Sequence, residues 1–242
     1  MLDWVQAIDF KFETAILFGS YAREDFNSDS DIDILLIHNE FKKPVHSGKY
    51  SISIYSKDKL MDFAKIGSLF ILHLISEAKH LSGDNILPEL EHSYAHPNFA
   101  NFTDQLRLAT QLLDVNMSSF NLYRSNLISV QKFILRSYLY SRNVKSGFSN
   151  FNINTVLRQI DLPHLEFVFD RSWNADMDYL DFTMVNVILG SLLDCKISNE
   201  YRSIESLIVN NYPKKNLLHT LGMSILKTDS VGIDYANLVI NG

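Results

Sequence analysis

Cysteine is nearly absent from this 242-residue sequence, which contains only Cys195. One thiol cannot form an intramolecular disulfide, and it excludes a zinc site built from several cysteines. Long apolar runs are also missing: Leu69–Ile75 is interrupted by His73 and falls far short of the ~20 residues of a membrane-spanning helix. The N-terminus, Met1–Phe10, carries two aspartates and no basic cluster, so it does not resemble a signal peptide. We therefore expect a cytoplasmic protein that does not associate with a membrane.

Acidic residues are missing from residues 115–160, although this stretch contains six Lys or Arg side chains. The net charge of −6 arises entirely in residues 1–99, which hold 9 basic and 15 acidic side chains, whereas residues 100–242 hold 13 of each. An acidic part followed by a locally basic part favours two domains with different roles. We predict one domain over residues 1–97 and a helical domain over residues 98–242.

The hydrophobic pattern of the first part predicts a small mixed sheet with helices. Thr14–Phe18, Asp31–Ile37 and Tyr50–Tyr55 are short apolar or alternating segments bounded by turn residues, as strands are. Further along, helical spacing predicts a helix over Ser68–Leu81, and the proline-containing segment 84–101 predicts a linker. Helical spacing dominates the remainder. The predicted fold class is therefore α/β (α+β), with a small mixed sheet followed by an all-α helical bundle.

The residues that follow the first predicted strand carry the most chemical information. The missing side chain of Gly19 lets a phosphate approach the backbone, and a helix that begins at Gly19-Ser20 directs N–H groups towards it. On the next strand, Asp31 and Asp33 are two residues apart, so both carboxylates leave the same face. Neighbouring carboxylates repel each other unless a cation lies between them, and phosphate-bound Mg²⁺ suits such a pair. The pattern predicts a metal-bound triphosphate beside a phosphate-binding turn.

The segments GSYAR (19–23) and SDIDILLI (30–37) together resemble the nucleotidyltransferase superfamily, whose members are DNA-polymerase-β-like. The resemblance is greatest to the minimal nucleotidyltransferases and covers about residues 12–82, with the family's spacing between Gly19 and Asp31. It implies Mg²⁺-dependent transfer of a nucleoside monophosphate from an NTP, with ATP expected. Protein, RNA and small hydroxylated molecules are all open as acceptors, in a toxin–antitoxin, defence or resistance role.

The resemblance also assigns roles to individual residues. It implies that Asp31 and Asp33 bind the metal ions and serve catalysis, and that Gly19, Ser20 and Arg23 bind phosphate. For Arg23 a solvated helix charge is an equally good interpretation.

The sequence departs from the family pattern at two positions. Glu24 stands where the family usually has glycine after the arginine. Active members usually carry a third carboxylate on the strand Tyr50–Tyr55, where this chain has Ser51, or Ser53 in a shifted register. A serine hydroxyl cannot replace an anionic base. Two hypotheses therefore stay open: an enzyme whose base comes from Glu40, Asp58 or the helical domain, or a catalytically impaired protein that binds nucleotide or a partner.

The basic stretch 115–160 also admits two interpretations. At 100° per residue, Arg124, Lys132, Arg136 and Arg142 cover one broad helix face. This face is either solvated or a wall that contacts triphosphate, RNA or the acidic first domain. A ribonuclease centre of the HEPN type is excluded, because Gly147 occupies the position at which its signature places histidine after Arg142-Asn143.

Overall fold

The computed structural model describes residues 8–28, 30–40, 42–214 and 216–227. These residues divide into two compact units. The first runs up to Pro97 and includes Ser149–Asn152, and the second contains Asn98–Phe148 and the residues from Ile153 onward. The first unit thus includes Ser149–Asn152, a short segment of the region predicted to belong to the helical domain. No helix in the described ranges is both long and apolar enough to cross a membrane.

A mixed sheet of five strands forms the centre of the first unit, in the order β3-β4-β2-β1-β5. The strands are β1 (Thr14–Phe18), β2 (Ile32–Ile37), β3 (Val45–Ser47), β4 (Tyr50–Tyr55) and β5 (Lys79–Gly83). β1 lies antiparallel to β2 and β5, whereas β2 and β4 are parallel. The three strands predicted from the sequence are therefore confirmed, and the short edge strands β3 and β5 add to them.

The alternation of side chains along the strands separates two buried faces. Ile34 and Leu36 of β2, with Ile52 and Ile54 of β4, belong to an apolar cluster on one face. On the opposite face lie the residues between them, including the buried Leu35. Because Asp33 shares the face of Leu35, the pleat directs its carboxylate away from the first cluster.

The helices of the first unit are α1 (Gly19–Arg23), α2 (Lys57–Lys65), α3 (Leu69–Glu77) and α4 (Leu87–Ser93). α2 and α3 cover the Asp33 face: the ring of Phe70 on α3 lies 5.8 Å from that of Phe18 and 6.1 Å from that of Tyr55. Serine side chains cap both helices, since Ser56 and Ser68 accept hydrogen bonds from backbone amides in the first turns.

Two sequence predictions are wrong in this unit. The predicted helix Ser68–Leu81 ends early, at Glu77, because the following residues pair with β1 as β5. The predicted linker 84–101 contains α4, whose first turn accommodates Pro88 because the first helical amides need no intrahelical partner. The local pattern suggested a continuing helix at the first place and a linker at the second, but packing against the sheet and the neighbouring helices decides the structure.

The second unit is entirely helical among its described residues, as predicted. Its α-helices are α5 (Phe99–Ala109), α6 (Met117–Lys145), α7 (Ile153–Gln159), α8 (Arg171–Asp176), α9 (Tyr179–Leu193), α10 (Ile204–Asn211) and α11 (Leu217–Leu226). They enclose one large apolar cluster that includes Phe120 and Phe182. A buried amide, Gln131 of α6, donates to the backbone oxygen of Phe182 at 2.9 Å and so ties α6 to α9.

Candidate active site

Gly19 and Asp33 meet where β1 ends and β2 begins. Phe18 of β1 is the register partner of Asp33, so Gly19 follows directly after the paired position. Gly19 has a φ of +71°, and a Cβ atom added to it would lie 2.4 Å from Oδ2 of Asp33. The carboxylate of Asp33 therefore occupies the space that any larger residue at position 19 would need. Glycine is required both for the backbone conformation and for this close approach.

Substitution of Gly19 by alanine tests this close approach. We expect Gly19→Ala to lower the free energy of unfolding by about 1–3 kcal/mol more than Gly48→Ala does, as an overpacked site does. Gly48 is a matched control because it also has a positive φ, +58°, but has no atom within 4 Å of an added Cβ. Denaturant unfolding measures both variants. Equal losses would show that the carboxylate of Asp33 does not crowd Gly19.

Ser51 is the neighbour of Asp33 on the adjoining parallel strand. The register pairs Asp33 with Ser51 and Leu35 with Ser53. Paired residues of neighbouring strands share a face, so the Ser51 side chain leaves the sheet on the same side as Asp33. Its side chain is half-buried, whereas Ile52 is fully buried in the cluster on the other face. The position beside Asp33 thus carries a hydroxyl group and no carboxylate.

Residues 6–69 match the family model for the nucleotidyltransferase domain. This chain carries a nucleotidyltransferase domain. The matched segment runs through β1, α1, β2 and β4 to the beginning of α3, and therefore includes Gly19, Ser20, Asp31 and Asp33. No curated protein matches the chain. The family match agrees with the resemblance of the two motifs.

Glu40 and Asp58, the two acids of this domain predicted as replacement bases, do not lie at the end of the sheet that carries Asp33 and Ser51. Glu40 follows the C-terminal end of β2, and Asp58 follows that of β4, whereas Asp33 and Ser51 are near the beginnings of these parallel strands. Ile37 is four positions after Asp33 in the sequence, which is about 13 Å along a strand. The expectation that Glu40 or Asp58 supplies the base is therefore wrong.

Arg23, predicted to bind phosphate or to be solvated, pairs with two acids of the domain. Its Nε donates to Asp25 at 2.9 Å, and its Nη1 donates to Glu77 at 2.6 Å. The arginine side chain retains only 16% of its accessible surface. The structure therefore excludes a fully solvated charge. A phosphate contact by Arg23 stays a prediction, and it would require the guanidinium to share its donors with these carboxylates.

The two acids link α1 to other parts of the first unit. Glu77 also contacts His73, one turn earlier on α3, and the His73 ring stacks on Phe151 with centroids 4.7 Å apart. Asp25 accepts a hydrogen bond of 2.6 Å from the amide of Asn152. In the sequence, His73 is notable only as the residue that interrupts the apolar run Leu69–Ile75. Its spacing of four from Glu77 was the only signal of the pair.

Asp25 provides a pH-dependent test of this network. Burial alone would raise the pKa of Asp25, but the hydrogen bonds from Arg23 and Asn152 and the charge of Arg23 outweigh it, so the pKa lies below the ordinary value of 3.8. A lowered pKa means that the ionised carboxylate stabilises the fold above this value and that the contribution disappears as pH falls through the folded pKa.

We expect Asp25→Asn to reduce the free energy of unfolding by about 1 kcal/mol near neutral pH, as for other partly exposed ion pairs. The difference from wild type should shrink as the pH falls below about 3.8. Urea unfolding at several pH values measures this difference. Asp62→Asn, which removes an exposed carboxylate of α2, is the control. A difference that is independent of pH would contradict the proposed role of the Asp25 charge.

Two arginines of the basic stretch have structural roles within the second unit. Arg124 donates to the backbone oxygens of Ala175 and Met177 at 2.7 Å each. The guanidinium carbon of Arg136 lies 5.6 Å from the ring centroid of Phe169. Neither side chain is fully exposed. These two residues are thus not part of a simple solvated face, because they hold the segment around α8 against α6.

The charge of Arg124 is also opposed by nearby acids. Arg124 lines an open pocket of about 360 Å³ together with Asp176 and Asp178. An anionic ligand in this pocket would meet two carboxylates as well as one guanidinium. Arg142, in contrast, is exposed at the end of α6. Arg124, Arg136 and Arg142 thus have different surroundings, and the basic face predicted on α6 is not a uniform anion-binding wall.

Proposed function

We propose that this chain transfers a nucleoside monophosphate from an NTP, with ATP expected, to an acceptor hydroxyl and releases pyrophosphate. The observation that supports this most directly is the close approach of Asp33 to Gly19 inside a domain of the nucleotidyltransferase family. It places a carboxylate immediately beside the turn that ends β1, where Gly19 is buried and Ser20 is half-buried. A structural turn alone would not need an acidic residue at this place.

The side chains of Asp31 and Asp33 fit a magnesium ion that also binds the substrate phosphates. Asp31 and Asp33 supply hard oxygen ligands, which Mg²⁺ prefers, and phosphate oxygens and water complete such a coordination shell. Across the described ranges, no group of three or more His, Cys, Asp or Glu side chains is arranged to hold a metal ion. A pair of carboxylates that depends on the nucleotide for further ligands agrees with this. When bound, the ion offsets negative charge that develops on the phosphates.

The protein residues of the candidate site have separate roles in this reaction. Asp31 and Asp33 hold the cation, and the turn at Gly19 and Ser20 binds the phosphates and orients them. The acceptor hydroxyl must lose a proton as it attacks, and Ser51 cannot take that proton at neutral pH. The proton must therefore pass to another carboxylate, to a base of the helical unit or to a basic group of the acceptor.

Ser51 also supports a second candidate function. With a neutral hydroxyl beside Asp33, the domain could bind nucleotide or a partner protein and transfer nothing. We favour the enzyme, because Asp33 lies beside the turn and Asp31 precedes it by two residues, and transfer requires such a pair whereas simple nucleotide binding does not.

Incubation with labelled nucleotides identifies the acceptor class. The full chain is mixed with Mg²⁺, cell extract and each of the NTPs labelled at the α phosphorus. We expect label on protein, RNA or a small hydroxylated molecule with one preferred NTP, and a protein or RNA acceptor would fit a toxin–antitoxin or defence role. Absence of label from all three fractions would favour the second candidate.

A further inference from the structure

Tyr21 and Phe26 form a stacked aromatic pair beside the phosphate-binding turn. Their ring centroids are 4.1 Å apart, and the planes differ by 6°. Phe26 is nevertheless 50% exposed. Because Tyr21 covers one face of the Phe26 ring, the exposed surface belongs to the opposite face and the ring edge. A flat apolar surface of this kind gains free energy when another planar group covers it.

The loop that carries Phe26 is held on both sides of the ring. On one side, Asp25 accepts hydrogen bonds from Arg23 at 2.9 Å and from Asn152 at 2.6 Å. On the other side, the amide of Asn27 donates to Oγ of Ser30 at 2.9 Å, and the amide of Ser30 donates to the Asn27 oxygen at 3.1 Å. The ring is therefore presented from a fixed backbone, which lowers the entropy lost when a ligand binds.

The aromatic pair lies on the segment that joins the two parts of the candidate site. Tyr21 is two residues after Gly19 in the same helix, a rise of about 3 Å. Phe26 is five residues before Asp31, so their Cα atoms are at most about 18 Å apart. A nucleotide whose phosphates lie at the Gly19–Ser20 turn can therefore bring its base to the rings.

We propose that Tyr21 and Phe26 form a stacking platform for the base of the bound nucleoside triphosphate, with the base on the open face of Phe26. This inference rests on the proposed function. Since every nucleobase has a flat π face, such a platform contributes affinity without strong selection among bases. The platform thus adds a base-binding element to the phosphate turn and the Asp pair, and Phe26 is its outer member.

The test compares two ligands that share a triphosphate but differ in the base. Calorimetry measures the binding of ATP and of inorganic tripolyphosphate, each with Mg²⁺, to the full chain. Loss of one base–aromatic stack corresponds to about 5- to 150-fold in affinity, so we expect Phe26→Ala to weaken ATP binding within that range. Binding of tripolyphosphate should not change. Phe26→Trp should retain the affinity for ATP.

Two further variants separate stacking from folding. Phe26→Leu keeps an apolar side chain without a ring and should lose ATP affinity to a similar extent as Phe26→Ala. Phe148→Ala removes another exposed phenylalanine, 45% accessible and in the second unit, and should bind ATP as wild type does.

Each contrary outcome has a distinct meaning. Equal ATP affinity in wild type and Phe26→Leu overturns the platform. An equal loss for ATP and tripolyphosphate also overturns it, because the loop would then act on the phosphate turn. If wild type binds neither ligand, the proposed function fails together with the platform, whereas normal ATP binding by all Phe26 variants removes the platform alone.

Discussion

Replacement of both Asp31 and Asp33 by asparagine is expected to abolish Mg²⁺-dependent binding of ATP. Asparagine keeps the size of each side chain but removes the negative charge that holds the cation. Even loss of a group that only orients metal ligands costs about 10- to 100-fold in affinity, so loss of two ligands should exceed about 100-fold. Calorimetric titration of wild type and the double variant with ATP, with and without Mg²⁺, measures the effect.

The Asp62→Asn/Asp84→Asn double variant is the matched control, since it removes two exposed carboxylates of the same unit that lie outside both motifs of the candidate site. It should bind ATP as wild type does. The melting temperature of each variant shows whether the fold is retained. An affinity for ATP that is equal in wild type and the Asp31/Asp33 double variant, and independent of Mg²⁺, would contradict the assignment of the site.

Substitution of Ser51 by aspartate is expected to increase nucleotidyl transfer. The register places this position directly beside Asp33. The resemblance to nucleotidyltransferases implies a carboxylate at this position. A general base contributes about 100-fold or more to rate, so a restored carboxylate should raise the rate by at least about tenfold where its absence limits catalysis. The measurement is the initial rate of label transfer to the acceptor class identified with extract.

Ser82→Asp provides the control for Ser51→Asp. Ser82 is exposed on the edge strand β5 and pairs with Ala15, so an added charge there does not face the Asp pair. This variant should retain the wild-type rate. An inactive wild type that gains activity with Ser51→Asp would support the catalytically impaired alternative. An active wild type with an unchanged rate in Ser51→Asp would contradict the view that position 51 limits catalysis.

The part of the candidate site that depends on local pattern could be predicted from the sequence. Gly19-Ser20 and the Asp31/Asp33 pair each lie within a few residues of one another, and the strands around them have clear apolar patterns. The period-two alternation of Tyr50–Tyr55 put Ser51 and Ser53 on one face, and the strand register of the structure then identified Ser51 as the partner of Asp33. In each case the chemistry depends on neighbours in sequence, and sheet geometry then brings the strands together.

Contacts between distant residues could not be predicted. Arg23 and Glu77 are separated by 54 positions, and Asp25 and Asn152 by 127. Neither pair has a periodic signal, since each arises only when the helices and loops pack. Glu40 and Asp58 are the opposite case, close in sequence but distant in the structure. Both follow strands of the candidate site, and because these strands are parallel, both acids lie at the other end of the sheet.

The strand β5 escaped prediction for a similar reason. Lys79–Gly83 continues an apolar helical pattern, yet its backbone hydrogen bonds go to β1. The sequence of this segment alone does not show that the edge of β1 is available for pairing. Tertiary pairing therefore overrides the helical preference of this stretch.

Transfer from ATP labelled at either the α or the γ phosphorus tests nucleotidyl transfer most directly. Wild-type chain, Mg²⁺ and extract are incubated with each labelled nucleotide, alongside the Asp31→Asn/Asp33→Asn variant. The account predicts that label from the α position reaches the acceptor, that label from the γ position leaves with pyrophosphate, and that the variant transfers neither. Transfer of the γ label to the acceptor, or α-label transfer that is unchanged in the variant, would contradict it.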